Sequence, residues 1–479
     1  MSARTSAQTS VTAAAPMKMP KESVAVIATL LVATFVVILN ETIMNVALPR
    51  LMLDLHVSAS TIQWLSTGFM LTMAVVIPMT GFVLQRLTTR TVFLLAMGAF
   101  CTGTALAAVA PGFEVLLLAR VIQAVGTATM LPLLITTILT LVPLERRGSV
   151  MGNVTIAISV APALGPTVSG LILQALSWRF MFIFVLPVAL LALAIGARYL
   201  TNVGEKDVQK LDALSVILTV PAFGGVVYGL SGIGGRGDGG STVPAIAALG
   251  VGVVCLVAFV LRQLRLQRGG APLLDLRAFR FRMFTVSTVL MVVAMMALFG
   301  SVILLPIYLQ QVHQLESVTT GLVLLPGGLA MGLLGPVVGR LYDRIGPLPL
   351  TVTGSVMMVL CLWQFSLLTA QTPVWWIVTC YMGLSAGLAL LFTPAFTSGL
   401  NPLPPHLYSH GSAIMSTLQQ VAGAAGTALL VSIFAVATAV SGEEAGIRAA
   451  FLVAAIIAVA AVVLSAMMRK ARVPMAPAE

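Results

Sequence analysis

Gly81-Phe82-Val83-Leu84-Gln85-Arg86-Leu87-Thr88-Thr89-Arg90 closes one long apolar run, and Gly339-Arg340-Leu341-Tyr342-Asp343-Arg344-Ile345-Gly346 closes another. Each copy sets a glycine and then, four and five residues on, a polar residue and an arginine. One such stretch is what any basic connection between apolar runs looks like. Two copies, each after the second run of its half of the chain, point to an internal duplication. Counted outward from them, runs 1–6 and 9–14 become equivalent six-helix bundles, with runs 7 and 8 inserted between.

Fourteen apolar runs begin near residues 24, 61, 91, 114, 150, 178, 211, 242, 283, 318, 348, 373, 409 and 446, each able to supply the roughly 20 residues a bilayer core needs. Only 9% of the chain is charged and 59% is apolar, where a soluble domain carries about 25% charge. Lipid offers no partner to unpaired backbone groups, so such runs are helices. The alternating segments of about ten residues that build a membrane β-barrel do not occur. The expected fold is all-α and polytopic. It divides into a disordered tail at 1–23, a six-helix bundle at 24–200, two inserted helices with a basic linker at 201–282, a second six-helix bundle at 283–470 and a tail at 471–479.

The net charge of +11 is a topology signal rather than a nucleic-acid footprint. With the N-terminus inside, 21 of the 26 Lys and Arg residues fall on cytoplasmic segments, six of them between Arg262 and Arg282. Arg50, Arg179, Arg236 and Arg448 fall outside, and Arg120 is internal. That bias puts both termini in the cytoplasm. Cys101, Cys255, Cys361 and Cys380 lie on four different runs without a CxxC pair, so no disulfide framework or metal site is expected. No cofactor is expected either, and no nucleophile–base pair or phosphate-binding loop suggests an enzyme.

Two charges fall deep inside apolar runs, Glu41 and Arg120. An intramembrane charge costs about 2.5–3.5 kcal/mol on insertion scales, which makes each a functional candidate. Glu41 lies 17 residues beyond Val24, or about 25 Å along a helix. A lone carboxylate there can bind a proton and meet a solute; it can equally be a structural acid paired to a neighbouring helix. Arg120, six residues from Glu114, can snorkel to the external surface or bias a nearby acid, but it cannot practically carry a proton. Gln123 is one turn further in. Asn45 shares the face of Glu41, whereas Asn40 sits about 100° around the helix. Gly165-Pro166 reads as a break in the helical ladder that lets helices approach closely, and Pro162 and Gly170 extend that stretch. Methionines and aromatics, among them Trp64, Phe69, Tyr308, Phe392 and Phe396, offer an adaptable apolar lining.

These stretches together resemble the major facilitator superfamily, specifically its fourteen-span drug:proton antiporter branch. The copy at Gly339–Gly346 looks like that superfamily's cytoplasmic loop motif in full, while the first copy has Gln85 where the acid is usual and Thr88 in place of a glycine. Arg120-Val121-Ile122-Gln123-Ala124-Val125-Gly126 is similar to the family's Arg-x-x-Gln-Gly-x-Gly. Ala161-Pro162-Ala163-Leu164-Gly165-Pro166-Thr167-Val168-Ser169-Gly170 is similar to the antiporter motif. Leu39-Asn40-Glu41-Thr42-Ile43-Met44-Asn45-Val46-Ala47-Leu48-Pro49 resembles the branch's first-span signature, with the acid one residue later than usual. The Asn40-Glu41 pair and His410-Gly411-Ser412-Ala413 look most like the lincomycin-resistance and multidrug efflux subgroup.

The resemblance implies the major facilitator fold and proton-driven efflux of apolar or weakly basic drugs across a bacterial plasma membrane, by a monomer that needs only protons, its substrate and the bilayer. Export of an endogenous lipid, peptide or antibiotic intermediate is the alternative. It further implies proton coupling at Glu41 and Arg120, and a substrate cavity touched by Asn45, Trp64, Phe69 and Gln123. The cytoplasmic gate would be built from Gly81, Arg86, Arg90, Gly339, Asp343, Arg344 and Gly346, with Asp343 the acidic partner of the arginines. Gly165, Pro166 and Gly170 would form the antiporter segment.

Overall fold

The computed structural model describes residues 20–200, 202, 212–234, 243–269 and 272–468. The tails at 1–19 and 469–479, the connection at 203–211 and the glycine-rich loop at 235–242 lie outside the described residues. Among those described, the chain is helical with no strand. Fourteen helices are long and apolar enough to cross a membrane. They are α1 Lys21–Asp54, α2 Trp64–Arg86, α3 Thr89–Ala108, α4 Phe113–Leu141, α5 Arg147–Ala175 and α6 Arg179–Tyr199. Then come α7, built from Ala213–Thr219, a π turn at Val220–Gly224 and Gly225–Gly234, and α8 Val243–Gly269. The last six are α9 Arg282–Ile307 with a π turn at Tyr308–Val312, α10 Ser317–Ile345, α11 Pro347–Phe365, α12 Val374–Leu400, α13 Tyr408–Ser441 and α14 Glu443–Ala466. Each begins within three residues of the start read from the apolar runs, and α1 continues past Leu48 to Asp54.

Within the first six helices α1 packs on α4, α5 and α6, and α3 on α4 and α6; within the last six α9 packs on α12, α13 and α14, and α11 on α12 and α14. The two sets meet along two seams: α5 against α10, and α2 against α13. The second helix of each set therefore lies on the fifth helix of the other, the exchange expected of two bundles related by duplication. α7 packs on α8, α13 and α2, so the inserted pair covers the α2–α13 seam and leaves the α5–α10 seam uncovered. α4 is the most enclosed span, with 72% of its apolar window buried, against 17% for α8. That contrast places α4 at the centre and α8 outermost, facing lipid.

The two loop copies turn differently. Gly346 stands between α10 and α11 at φ +83°, in a region a side chain rarely adopts. Thr88 holds the matching place in the first copy with ordinary φ, and its hydroxyl caps α3 by accepting from the Thr91 N–H at 3.2 Å. A capping threonine thus replaces a turn glycine. The expected break at Gly165-Pro166 is absent: α5 runs unbroken from Arg147 to Ala175. A proline removes a single ladder bond, and membrane helices tolerate that loss when neighbours support them.

Candidate functional site

Arg120 and Gln123 are three residues apart on α4 and share a face. Both are buried, at 1% and 0% exposure. The Arg120 guanidinium lies 4.0 Å from the centre of the Phe69 ring on α2, and its Nη1 donates to Gln123 Oε1 at 3.1 Å. Gln123 Nε2 donates in turn to Thr104 Oγ1 on α3 at 2.9 Å. The helices come this close because Gly103 offers no side chain; a Cβ there would fall 2.7 Å from the Ala119 carbonyl. The outward-snorkelling reading of Arg120 therefore does not hold, since the ring and the amide turn it inward. Its Nε has no partner among the described residues.

Glu41 lies deep in the bundle and keeps accessible surface. It interacts electrostatically with Arg120, yet no ion pair within 4 Å joins them among the described residues. The next residue, Thr42, donates to Leu39 O at 2.9 Å and reaches Ala161 O of α5 at 3.4 Å. Gly165 makes that approach possible, because a Cβ on it would fall 2.7 Å from Thr42 Cβ. The antiporter segment thus packs on the turn of α1 that carries Glu41. Gly170 faces open space within 4 Å, so it makes no such contact. The side chains of Asn45 and Pro166 lie outside the described residues. Trp64 is half-exposed and stacks on Tyr228 of α7 at 5.8 Å; it attends to the inserted pair rather than to Arg120. Asn40, at the usual place of the acid, is buried with Nδ2 unpartnered among the described residues.

At the end of the bundle where both loop copies lie, Asp343 accepts from the Gly148 N–H at 2.9 Å and the Ser149 N–H at 2.8 Å, and from the Ser149 hydroxyl. Both carboxylate oxygens thus cap the N-terminus of α5 from the opposite bundle, where a helix carries partial positive charge. Beside this cap, Gly148 and Gly152 of α5 interleave with Gly335 and Gly339 of α10. A Cβ on Gly339 would fall 3.1 Å from the Gly152 Cα, and one on Gly152 3.0 Å from the Pro336 Cα. These are small-xxx-small faces, which let helix backbones touch.

Arg147 completes the seal. It is 8% exposed, and donates to Val142 O (3.1 Å) and Leu139 O (2.5 Å) at the end of α4, and to Asn401 Oδ1 (3.1 Å) and Tyr408 Oη (3.2 Å) of the other bundle. On the other seam, Gly81 lies under His410, and the neutral Gln85 donates to the His406 carbonyl at 2.6 Å. Arg90 reaches the Ala197 carbonyl at 2.5 Å, within its own bundle. Arg86 and Arg344 are exposed at the same end, and Arg344 makes no ion pair or hydrogen bond among the described residues. Backbone N–H groups, which sequence reading did not single out, therefore hold both oxygens of Asp343. Gly148-x-x-x-Gly152 and Gly335-x-x-x-Gly339 were the signals available for them.

Between the halves, Thr155 of α5 and Thr393 of α12 share a hydrogen bond at 2.7 Å, beside a crevice lined by Ile135, Met151, Met295, Phe392 and Phe396. It holds no more than a water-sized guest. The inserted pair is clasped separately: Arg262 donates twice to Asp212, at 2.7 Å each. That contact holds the Asp212 carboxyl at about 2.

Two helical halves closed on each other at one end, with a charged cluster enclosed at depth and an apolar crevice between them, make a multi-pass membrane carrier. The match to the Major Facilitator Superfamily model spans residues 30–427, and the chain belongs to that family, whose members are transporters and not enzymes. It is 40% identical over 459 residues to the lincomycin resistance protein LmrB of Bacillus subtilis, covering 93% of this chain and 95% of that protein. To the multidrug resistance protein B homolog of Mycobacterium tuberculosis it is 31% identical over 396 residues, covering 81% and 72%. The human organic anion transporter MFSD10 superposes with a TM-score of 0.68 at 15% identity, covering 93% of this chain and 100% of that one; that likeness carries the fold alone. The bacterial relatives and fourteen spans place the chain in the plasma membrane.

Proposed function

We propose that this transporter exports apolar or weakly basic drugs in exchange for protons, with the basic, sealed end in the cytoplasm and the present conformation closed to that side. The observation that carries the reading is the contact of Thr42 with Ala161 and Gly165. It packs α5 against the turn bearing Glu41, while the N-terminus of the same helix holds Asp343. From Arg147 to Gly165 is 18 residues, or about 27 Å of continuous helix. A change in charge at Glu41 and the state of the seal are thus linked through one rigid element. Arg120 biases the acid electrostatically and is held in place by Phe69 and Gln123. Rocking of the two bundles about a site near the midplane follows the way such duplicated carriers alternate access.

For a neutral drug, moving one proton charge across 100 mV supplies about 2.3 kcal/mol, which sustains a drug gradient of about fifty-fold; exchange of one proton for one monocation moves no net charge and draws on the pH gradient instead. The relatives named for lincomycin and multidrug resistance support a drug-like substrate. The enclosed acid among the described spans supports neutral and singly charged compounds over dications. The test is Glu41→Gln in proteoliposomes: an imposed pH gradient should no longer drive drug movement, while downhill exchange persists. Intact proton-driven accumulation by that variant would remove Glu41 from the mechanism.

A further inference from the structure

Val254, Val257, Leu261 and Leu264 recur at helical spacing along α8 and are 69%, 53%, 53% and 46% exposed. They form the lipid-facing side of the outermost span. Arg265 and Arg268 continue the same stripe at the end where the basic linker begins, and both are exposed. From Val254 to Arg268 is about 21 Å of helix. The opposite side, with Phe259 and Gln263 buried, faces α7, where Gln263 Nε2 donates to Ser215 Oγ at 2.8 Å.

The linker folds back onto that end. Leu273 and Leu274 are buried, and the Leu274 N–H donates to Gln263 Oε1 at 3.2 Å. A 3₁₀ turn follows at Leu276–Arg280, in which residues three apart share one side. Arg277 Nη2 donates to Gln267 O of α8 at 2.8 Å, so the side bearing Arg277 and Arg280 is the side toward α8. Thr285 Oγ1 donates to Phe279 O at 2.9 Å, which ties the turn to the start of α9 and leaves Arg282 beside it. Of the six arginines from Arg262 to Arg282, Arg262 is held by Asp212 and Arg277 pairs with the buried Asp275 at 3.3 Å. The other four, Arg265, Arg268, Arg280 and Arg282, are exposed and make no ion pair or hydrogen bond among the described residues. Gln267 Nε2, in the same turn as Arg268, also has no hydrogen-bond partner among them. Unpaired donors thus end an apolar, lipid-facing stripe at headgroup level.

We propose that the junction of α8 and the linker binds one anionic glycerophospholipid, its phosphate held by Arg265, Arg268 and Arg280 and one acyl chain lying along Val254, Val257, Leu261 and Leu264. Guanidinium groups meet phosphate oxygens in bidentate pairs. A zwitterionic headgroup brings its own amine into a cluster of like charge, whereas a net negative one does not, and the charge selects the second. The lipid pins the linker between the halves to the bilayer, which gives the inserted pair a role apart from the transport path. The site requires only that the chain cross a membrane and is independent of what the carrier moves.

The test uses the full chain with its four native cysteines removed and a bimane on Gly269→Cys, where an added Cβ meets open space. It is reconstituted in phosphatidylcholine vesicles holding a small fraction of phosphatidylglycerol or phosphatidylcholine with a nitroxide near the glycerol end of one acyl chain. Labelled phosphatidylglycerol should half-quench the bimane at a mole fraction at least tenfold lower than labelled phosphatidylcholine. A basic residue near an anionic headgroup contributes about fivefold. Arg280→Gln should therefore lower the preference about fivefold, and Arg265→Gln with Arg268→Gln about tenfold or more. Arg198→Gln, exposed at the same end on α6, should leave it unchanged. Equal quenching by the two lipids, or a preference that survives the paired change, would overturn the site. So would an equal loss in Arg198→Gln, which would mean diffuse attraction to a basic surface. Release of the lipid by millimolar inorganic phosphate at constant ionic strength would make this a site for the free ion and overturn the lipid assignment.

Discussion

Asp343→Asn is the sharpest perturbation of the seal. The carboxylate accepts two backbone N–H groups, at 2.9 and 2.8 Å, and the Ser149 hydroxyl. Hydrogen bonds to a charged group contribute about 1.5–3 kcal/mol each and neutral ones about 0.5–1.5. The two N–H groups use different oxygens and an amide offers one acceptor, so the retained bond loses about 1 kcal/mol and the bond that meets the amide NH2 is lost whole, about 1.5–3 kcal/mol. Loss of the charge at the α5 N-terminus removes a further ~0.3–1 kcal/mol, for a total of about 3–5 kcal/mol in the closed state alone. At 1.4 kcal/mol per tenfold, that is a rise of about 140- to 4,000-fold in the population open at this end. Met151, 3% exposed on the crevice, reports that population when replaced by cysteine in a chain with its four native cysteines removed. When opening is fast relative to alkylation, the labelling rate scales with the open fraction. A membrane-impermeant maleimide applied to inside-out vesicles should label the Asp343→Asn background faster by the factor given. An acceleration below threefold would mean the glycine seam alone holds the end shut, and the helix-terminus argument would be wrong.

Two further expectations follow from the same geometry. Gly165→Ala forces a Cβ to within 2.7 Å of the Thr42 Cβ, an overpacking worth about 1–3 kcal/mol; proton-driven uptake should fall about tenfold or more, while Gly170→Ala, facing open space, should leave it within twofold. Asp212 is held at about 2 by its hydrogen bonds from Arg262, so its contribution is complete above the unfolded carboxyl value near 3.9 and is lost as pH falls through about 2. The Asp212→Asn chain should melt lower than wild type by a constant margin from pH 8 to 5, narrowing only below about pH 4; a margin that changes between pH 6 and 8 would exclude the clasp as its source.

The fold was legible because membrane helices are written as length and apolarity. Every span start fell within three residues, since a run that must cross lipid ends where charge begins. Glu41 and Arg120 were legible for the complementary reason, as charges where none is cheap. Arg120 was misplaced toward the surface as an alternative because sequence distance to Glu114 measures depth and not direction. Only the Phe69 ring on α2 and the Gln123 amide turn it inward. The partners of Asp343 were hidden for a different reason. Backbone N–H groups carry no residue signature, and the pairing joins positions almost 200 apart across two bundles. Trp64 reads like any aromatic in a span until α7 is seen to bring Tyr228 against it.

The duplication leaves the two seams unequal, and that inequality bears on coupling. On the α5–α10 seam a carboxylate caps a helix N-terminus across the interface and four glycines bring the backbones together. On the α2–α13 seam the matching position is the neutral Gln85, which donates to a carbonyl, and α7 packs alongside. A charged cap is the stronger contact, so the α5–α10 seam carries more of the closed-state free energy, and it is the seam that α7 and α8 leave uncovered. Its helix α5 also touches the turn of Glu41. The closed-state contacts are therefore concentrated on the helix that meets the candidate proton site, whereas the weaker seam is the one the inserted pair packs against. A symmetric carrier with acids in both loops would divide those contacts between α5 and α13. Here the substitution of Gln85 for an acid removes one share, and a charge change beside Thr42 acts on the helix that holds the rest.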